Sequence, residues 1–112
     1  MDCLFCKIRD DERVEKLYSD EHFFVISDIQ PKAPIHWLII PNEHITTIDD
    51  MSSDQMVWMG QIYKVAQTLT RTHGIAKAGY RLVFNTNAQG GQSVYHIHMH
   101  VLAGRQMNWP PG

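Results

Sequence analysis

The sequence predicts an α+β domain, in which an antiparallel sheet carries one long helix on one face. Segments rich in aromatic and β-branched residues follow one another through short connections, as in antiparallel sheets. One segment, residues 54–73, repeats its apolar residues at helical spacing instead. The chain of 112 residues corresponds in size to a single domain, residues 1–112.

The strands are recognised by their apolar content and by the residues that interrupt them. Pro31 and Pro34 favour an extended connection after the second strand, and Pro41 ends the third. A glycine loop, residues 88–93, precedes the last strand. The predicted strands are residues 16–18, 23–26, 37–40, 80–85 and 96–102.

The helix has recognisable start and stop signals. Ser52 followed three residues later by Gln55 fits a capping box. Gly74 is a natural residue to follow the last turn. The apolar stripe between them comprises Met56, Met59, Tyr63 and Ala66, with Ile62, Val65 and Leu69 beside it.

The composition excludes several classes of protein. Hydrophobic residues make up 44%, charged residues 20%, and the net charge is −2, which disfavours binding to nucleic acid or to an anionic membrane. The longest apolar run, residues 37–41, is too short to span a bilayer. The first residues lack the pattern of a secretion signal, so a cytoplasmic protein is expected.

Cys3 and Cys6 form a C-x-x-C pair. A structural disulfide is the weaker interpretation in a cytoplasmic protein, because thiols there stay reduced. A thioredoxin-like redox pair would lie between a strand and a helix. Half of a metal site is a third interpretation, and it requires two further ligands.

Three of the seven histidines alternate with apolar residues in the last predicted strand. A strand would point His96, His98 and His100 to one face. They cannot easily share one ion, because His96 and His100 would lie about 13 Å apart at about 3.3 Å per residue. Chance placement on a surface strand is a second possibility. Nucleophilic and acid–base chemistry on an anionic substrate is favoured, since the glycine loop before the strand can cradle a phosphate.

These residues resemble a known family. Residues 96–102 match the signature of the histidine triad (HIT) family, and the chain resembles its Hint branch of nucleotide-binding hydrolases along nearly its whole length. The resemblance implies a HIT-like fold with about five antiparallel strands, one long helix and a short N-terminal helix. The other matching motifs are Phe5-x-Lys7-Ile8, Asp28-Ile29-x-Pro31-x-Ala33-Pro34-x-His36, Pro41-x-x-His44-Ile45, Gly90-Gly91-Gln92-Ser93-Val94-Tyr95 and Gly104-Arg105-Gln106-Met107-x-Trp109-Pro110-Pro111-Gly112.

The resemblance implies a two-step mechanism without a catalytic metal. His98 would attack the α-phosphorus and form a covalent nucleotidyl-histidine, which water then hydrolyses. His100 and Asn85 would hold the phosphate, Ser93 would assist the leaving group, and His96 would belong to the catalytic set. The remaining residues implied at the phosphate are Gly91, Gln92 and Val94.

The nucleoside site is implied by the same resemblance. Asp28 would accept hydrogen bonds from the ribose hydroxyls, and Trp109 in the C-terminal tail would help to shape the site, often across a dimer. His36 is interpreted as a supporting residue. The base pocket would be lined by Phe5, Ile8, Ile26, Ile29 and Leu38, which the sequence alone would assign to the core.

A structural zinc is also implied. Some bacterial-type histidine triad proteins, which the N-terminus resembles, join a C-x-x-C pair to two histidines, and the matching positions are Cys3, Cys6, His44 and His96. The alternative is two free thiols, with His44 in an imidazole relay behind the triad. A homodimer is implied too, and the thin core of so small a domain agrees with it.

The expected activity is hydrolysis of purine nucleoside phosphoramidates, in which adenosine monophosphate or a similar nucleotide is joined to an amine. Two alternatives remain from the sequence. One is hydrolysis of dinucleoside polyphosphates. The other is a nucleotide-binding regulatory or scaffold module with little turnover.

Overall fold

Five antiparallel strands form one sheet in the computed structural model, which describes residues 2–112. The strands are β1 (Tyr18–Ser19), β2 (Phe23–Ser27), β3 (Ile35–Pro41), β4 (Arg81–Val83) and β5 (Met99–Ala103), in the spatial order β1-β2-β3-β5-β4. The helices are α1 (Leu4–Asp10), α2 (Ser53–Met59) and α3 (Gln61–Thr72), with a 3-10 turn at Ile48–Asp50. This architecture confirms the predicted α+β fold with a short N-terminal helix.

The sheet has two apolar faces, because alternate residues of each strand point in opposite directions. One face packs against α3 and forms the larger core, which includes Phe23, Val25, Trp37, Ile39, Met99, Val101, Ile62, Val65, Ala66 and Leu69. The other face is covered by α1 and forms a smaller core, which includes Phe24, Ile26, Leu38, Ile40 and Phe5. The second face holds the candidate site described below.

The predicted long helix is present, but it is divided at Gly60. Its ends agree with the prediction within one residue. The Ser52 hydroxyl accepts from the Gln55 amide and the Gln55 side chain accepts from the Ser52 amide, which confirms the capping box. Gly74 has φ +70° and follows the last turn as expected. The interruption falls at the one glycine of the segment, a residue with low helix propensity.

Strand β5 begins at Met99, three residues after the start that the sequence predicts. Continuing the antiparallel register would place Ile97 opposite Pro41, the last residue of β3. Proline has no N–H to donate, so the ladder stops there. The Ile97 amide donates instead to the carbonyl of Ile45, at 2.8 Å. The first two triad histidines therefore lie before the strand.

Strand β4 is shorter than predicted for a related reason. Val83 pairs with His100, so the same register would bring Asn85 opposite His98, which precedes β5. Because β5 does not extend to His98, Asn85 has no partner in the ladder and β4 ends before it. No helix among residues 2–112 is long and apolar enough to cross a bilayer.

Candidate active site

A cavity of about 790 Å³ lies on the face of the sheet that α1 covers. Residues from every layer of that face line it, from α1 to the C-terminal tail. A smaller hollow of about 400 Å³, beside His22 and Trp58, contains none of the predicted site residues. The large cavity is therefore the candidate active site.

The structure brings twelve of the predicted site residues together around this cavity. They come from α1, from β2 and the turn after it, from β3, from the residues just after β4, from the glycine loop, and from β5 and the segment that leads into it. The twelve are Phe5, Ile8, Ile26, Asp28, Ile29, Leu38, Asn85, Gly91, Ser93, Val94, His98 and His100.

Two of the residues predicted to bind the nucleotide, Gln92 and Trp109, do not line the cavity. The Gln92 side chain turns inward: its carbonyl oxygen accepts from the Asn87 amide, and its NH₂ donates to the carbonyls of Thr46 and Val94. Its amide therefore supports the glycine loop and does not point to the cavity, contrary to the prediction. Trp109 is 81% exposed and does not line the cavity, whereas Met107 and Pro111 from the same tail do.

The glycine loop depends on the absence of side chains. A Cβ at Gly90 would overlap the main chain of Thr86, and Gly91 has φ +80°, a conformation that side chains rarely adopt. The loop therefore approaches the Thr86 main chain closely and presents Ser93 to the cavity.

His98 has one ring nitrogen available to a substrate. Its Nδ1–H donates to the main-chain carbonyl of His96, at 2.8 Å, so Nε2 carries the lone pair. Phe5 packs edge-on against the ring, with centroids 5.0 Å apart. Burial lowers the pKa of His98 below its usual 6.5, and the imidazole is therefore neutral near pH 7, as a nucleophile must be.

The proton on His100 is determined by a chain of hydrogen bonds. The Lys32 amide donates to Nδ1 of His36 at 3.0 Å, so the proton of neutral His36 lies on Nε2. That Nε2–H donates to Nδ1 of His100, 2.8 Å away, and the proton of His100 therefore lies on its own Nε2. Burial first, and then the neighbouring His98 and His36, lower the pKa of His100 to about 4.

The two triad histidines in the cavity thus differ in what their Nε2 atoms offer to a ligand. Their ring centroids are 5.0 Å apart. His98 presents an unprotonated nitrogen and His100 presents a hydrogen-bond donor. Asp28 lies nearby, with Oδ2 at 3.4 Å from Nε2 of His36, and Oδ1 accepts from the Gln30 amide.

His96 does not face the cavity, which corrects its place in the predicted catalytic row. Its ring is fully buried and lies beside Cys3, Cys6 and His44. Cys3 Sγ is 3.3 Å and Cys6 Sγ is 3.7 Å from its Nδ1. Cys6 Sγ is 3.6 Å from His44 Nδ1, and the two Nδ1 atoms are 3.1 Å apart.

These distances match the edges of a tetrahedral zinc site. With bonds of about 2.3 Å to sulfur and about 2.0–2.1 Å to nitrogen, sulfur–nitrogen edges are about 3.6 Å and nitrogen–nitrogen edges about 3.3 Å. His96 Nε2 donates to the carbonyl of Pro41 at 2.8 Å, the usual outer contact of a metal-bound histidine. The Cys6 amide also donates to Cys3 Sγ, at 3.4 Å.

Hydrogen bonding alone satisfies this cluster poorly. Because His96 Nε2 donates to a carbonyl, its Nδ1 has a single lone pair. Two thiols and the Nδ1 of His44 converge on that lone pair, which can accept one good hydrogen bond. Burial and the neighbouring Cys3 raise the pKa of the Cys6 thiol. A cation would bind all four atoms at once, so the residues present fit a metal ion.

Asp28, His36 and His100 form a second group of potential metal ligands, but its hydrogen bonds oppose metal binding. His36 Nδ1 accepts from the Lys32 amide. Its Nε2, the atom that would face the ion, therefore carries the proton and has no lone pair to offer. This group is a chain of hydrogen bonds, and the Cys₂His₂ group is the metal candidate.

Sequence reasoning missed the basic rim of the cavity, formed by Lys32, Arg81 and Arg105. Within residues 2–112 none of the three forms an ion pair. Arg105 donates to the Lys32 carbonyl and Arg81 to the Asn108 carbonyl. Carbonyls orient these guanidinium groups and leave their charge unneutralised. The available signal was the period of two that joins Arg81 and Val83 of β4 to Asn85, two residues after the strand.

Comparisons with known proteins agree with this geometry. A family model described as "Scavenger mRNA decapping enzyme C-term binding" matches residues 2–109. A protein of Escherichia coli (strain K12) named purine nucleoside phosphoramidase is 47% identical over 91 residues, which are 81% of this chain and 76% of that protein.

Two solved structures are also similar. The crystal structure of a HIT family hydrolase from Legionella pneumophila Philadelphia 1 has a TM-score of 0.93 and 46% identity, covering 99% of this chain and 100% of that chain. A histidine triad protein from Clostridium difficile has a TM-score of 0.91 and 32% identity, covering 96% of this chain and 95% of that chain.

We expect the free energy of unfolding to decrease as the pH falls from about 6.5 to about 4. The folded protein holds the pKa of His100 at about 4, against 6.5 ordinarily, so in this interval the unfolded chain binds a proton that the folded chain does not. Chemical denaturation at a series of pH values measures the slope, which His100→Gln should flatten. Asn85→Ala, which removes an uncharged cavity side chain, should retain it. An unchanged slope in His100→Gln would contradict the assignment.

Proposed function

This chain is a hydrolase of the histidine triad family, and on that basis we propose that it cleaves purine nucleoside phosphoramidates, in which a nucleotide is joined through phosphorus to an amine. One observation carries the proposal: the unprotonated Nε2 of His98 and the protonated Nε2 of His100 share one cavity, with ring centroids 5.0 Å apart. The E. coli relative named purine nucleoside phosphoramidase supports the substrate class.

The reaction proceeds in two displacements. In the first, His98 Nε2 forms a bond to the α-phosphorus and the bond from phosphorus to the amine breaks. The amine leaves with a proton from the hydroxyl of Ser93. In the second, water attacks phosphorus and returns a proton to Ser93, the bond from phosphorus to His98 Nε2 breaks, and the nucleoside monophosphate leaves with His98 in its neutral form. Splitting the reaction suits a neutral imidazole, which is both a good nucleophile and a good leaving group.

The developing phosphate charge is stabilised without a catalytic metal. His100 donates from Nε2 to a phosphate oxygen, and Asn85 and the main chain at Gly91 add further donors. The basic rim supplies long-range attraction. Because the Asp28, His36 and His100 group is saturated by its own hydrogen bonds, no metal is needed or accommodated there.

The nucleoside lies over β2 and β3. Asp28 accepts from the ribose hydroxyls, since it lines the cavity and is the one carboxylate that does so. The base packs among apolar side chains of α1, β2 and β3, with Ile29, 95% exposed, at the rim. The proposed base-contacting residues are Phe5, Ile8, Ile26, Ile29 and Leu38.

One observation favours a second candidate activity. Three unpaired cations, Lys32, Arg81 and Arg105, line the cavity, and a polyphosphate leaving group would fit them better than a neutral amine. Hydrolysis of dinucleoside polyphosphates therefore remains the second candidate. The ratio of kcat/KM for the two substrate classes decides between them.

A zinc ion held by Cys3, Cys6, His44 and His96 is the second part of the proposal. All four ligand atoms lie within 4.8 Å of one another, and a closed Cys₂His₂ set suits a structural ion. Zinc there would cross-link α1 to the loop after β3 and to the segment before β5. The reduced thiols that it requires agree with a cytoplasmic location.

A homodimer is the third part of the proposal. Met56, Val57 and Tyr63 on α2 and α3 are 53%, 80% and 56% exposed, and β4 is an edge strand with no neighbour on its outer side. Exposed apolar side chains and a free sheet edge are each typical of an interface. A second copy would also give the exposed Trp109 a surface to contact.

We expect His98→Ala to lower kcat/KM for an AMP–amine substrate by at least about a thousandfold, because it removes the nucleophile. AMP should still bind, since His98 is one of many contacts. His22→Ala, which removes a histidine outside the cavity, should leave hydrolysis unchanged. Equal hydrolysis by His98→Ala and wild type would show that another group attacks phosphorus. Wild-type protein that binds AMP but does not turn over would favour the regulatory module.

We expect one zinc per chain in protein purified without chelator, as measured by elemental analysis. Cys6→Ser should lose most of it, because three ligands hold zinc less tightly than four. Asp28→Asn, in the other candidate group, should retain the full amount. Well under one zinc per chain in the wild type would refute the metal assignment.

We expect sedimentation at micromolar concentration to give about twice the 13.0 kDa chain mass. Val57→Asp should shift the protein toward the monomer, because it buries a charge in the proposed interface. The charge reversal Glu12→Lys, on an exposed turn after α1, should leave the mass unchanged. A monomeric wild type would refute the dimer.

A further inference from the structure

Helix α1 contributes to two sites at once. Cys3, its N-cap residue, and Cys6 lie in the Cys₂His₂ cluster. Leu4, Phe5 and Ile8 line the nucleotide cavity. The same short segment therefore supplies half of the metal ligands and one wall of the cavity.

This helix depends on tertiary contacts for its position. It has seven residues, far fewer than an isolated helix needs to be stable in water. Phe5 is its one fully buried residue, and Arg9 donates to the Asn42 carbonyl at 2.7 Å. The cluster is the remaining anchor, and it is the one that joins α1 to the segment carrying the triad.

His96 links the same cluster to the nucleophile. Its ring lies among the thiols and its Nε2 donates to Pro41. Its main-chain carbonyl accepts from Nδ1 of His98. Phe5 contacts both rings, with centroids 5.9 Å from His96 and 5.0 Å from His98. A change at the cluster therefore affects the nucleophile His98 through His96, and it affects the cavity wall through Phe5.

We propose that metal binding at the Cys₂His₂ cluster and nucleotide binding in the cavity are thermodynamically coupled, with Phe5 and His96 as the positioning residues that carry the coupling. The inference rests on the zinc and nucleotide sites proposed above. With the metal bound, α1 is held against the sheet and the cavity wall is complete. Without it, two thiols and His44 compete for one lone pair of His96, the cluster loosens, and α1 loses an anchor.

Coupling of this kind must be reciprocal: if metal tightens nucleotide binding by some factor, nucleotide tightens metal binding by the same factor. We expect a factor of about ten or more, within the range usual for coupled sites. Reciprocity separates this proposal from a metal that merely stabilises the fold, because a stabilising metal need not respond to a ligand in the cavity.

Calorimetry with AMP as the probe gives the first measurement. The Kd should rise at least about tenfold when the metal is removed by a chelator under reducing conditions, and again in Cys6→Ser. Circular dichroism establishes that the sheet is retained in the chelator-treated wild type and in Cys6→Ser. Restoring zinc to the stripped wild type should recover the affinity, whereas Cys6→Ser should recover little.

Metal transfer gives the second measurement and requires no variant. Saturating AMP should lower the Kd of wild-type protein for zinc by the same factor, as measured by equilibrium competition with a chromophoric chelator. Phe5→Ala should bind one zinc per chain but lose this protection, because the link through the cavity wall is removed. Glu12→Gln, on an exposed turn, should retain it.

The outcomes are distinct. Equal AMP affinity with and without zinc, together with zinc transfer that AMP does not change, would overturn the coupling while leaving both sites intact. Protein without stoichiometric zinc would overturn the coupling and the metal site together. Failure of the zinc-loaded protein to bind AMP would instead contradict the proposed function.

Discussion

The main-chain carbonyl of His96 accepts the Nδ1 proton of His98, and most of the site depends on that bond. It selects the tautomer in which Nε2 of His98 carries the lone pair, and it orients the ring toward the cavity. The carbonyl is free to do this because the β3–β5 ladder stops where Ile97 would face Pro41, so that His96 lies outside the ladder. A proline in β3 thereby frees residues before β5 for chemistry and for the cluster.

The direction of each hydrogen bond determines what the neighbouring imidazoles can do. A backbone amide donates to Nδ1 of His36, and from that one contact the proton positions of His36 and His100 follow. Burial keeps these rings neutral. The site therefore offers an anion hydrogen-bond dipoles and, at its rim, cations, without a charged imidazolium at its centre.

The same reasoning distinguishes the two groups of potential metal ligands. In the Cys₂His₂ cluster, His96 donates to a carbonyl and offers its other nitrogen to an ion. In the Asp28, His36 and His100 group, His36 accepts from an amide and offers a proton instead. The distances between ligand atoms do not distinguish the two groups, because in both they are within 4.8 Å. Their outward hydrogen bonds make the Cys₂His₂ cluster the metal candidate, and this cluster lies outside the cavity.

Local chemistry made much of the molecule predictable. The capping box at Ser52, the stop at Gly74 and the alternation around His98 follow from interactions between residues close in sequence. The β5 start, in contrast, depends on the residue of β3 that faces it. The inward turn of Gln92 depends on Thr46, 46 residues away along the chain, and no local pattern reveals that contact.

By itself, the sequence predicted the α+β fold class and the row of three histidines, because these depend on residue type and short-range period. Its resemblance to the family supplied the four potential zinc ligands. Only the tertiary structure decided the state of each ring nitrogen. His96 joins the cysteines and His100 presents a proton because their rings bond to residues of β3, which is distant in sequence. His98 keeps a free lone pair because residues 96–98 lie before β5, where the His96 carbonyl accepts its Nδ1 proton.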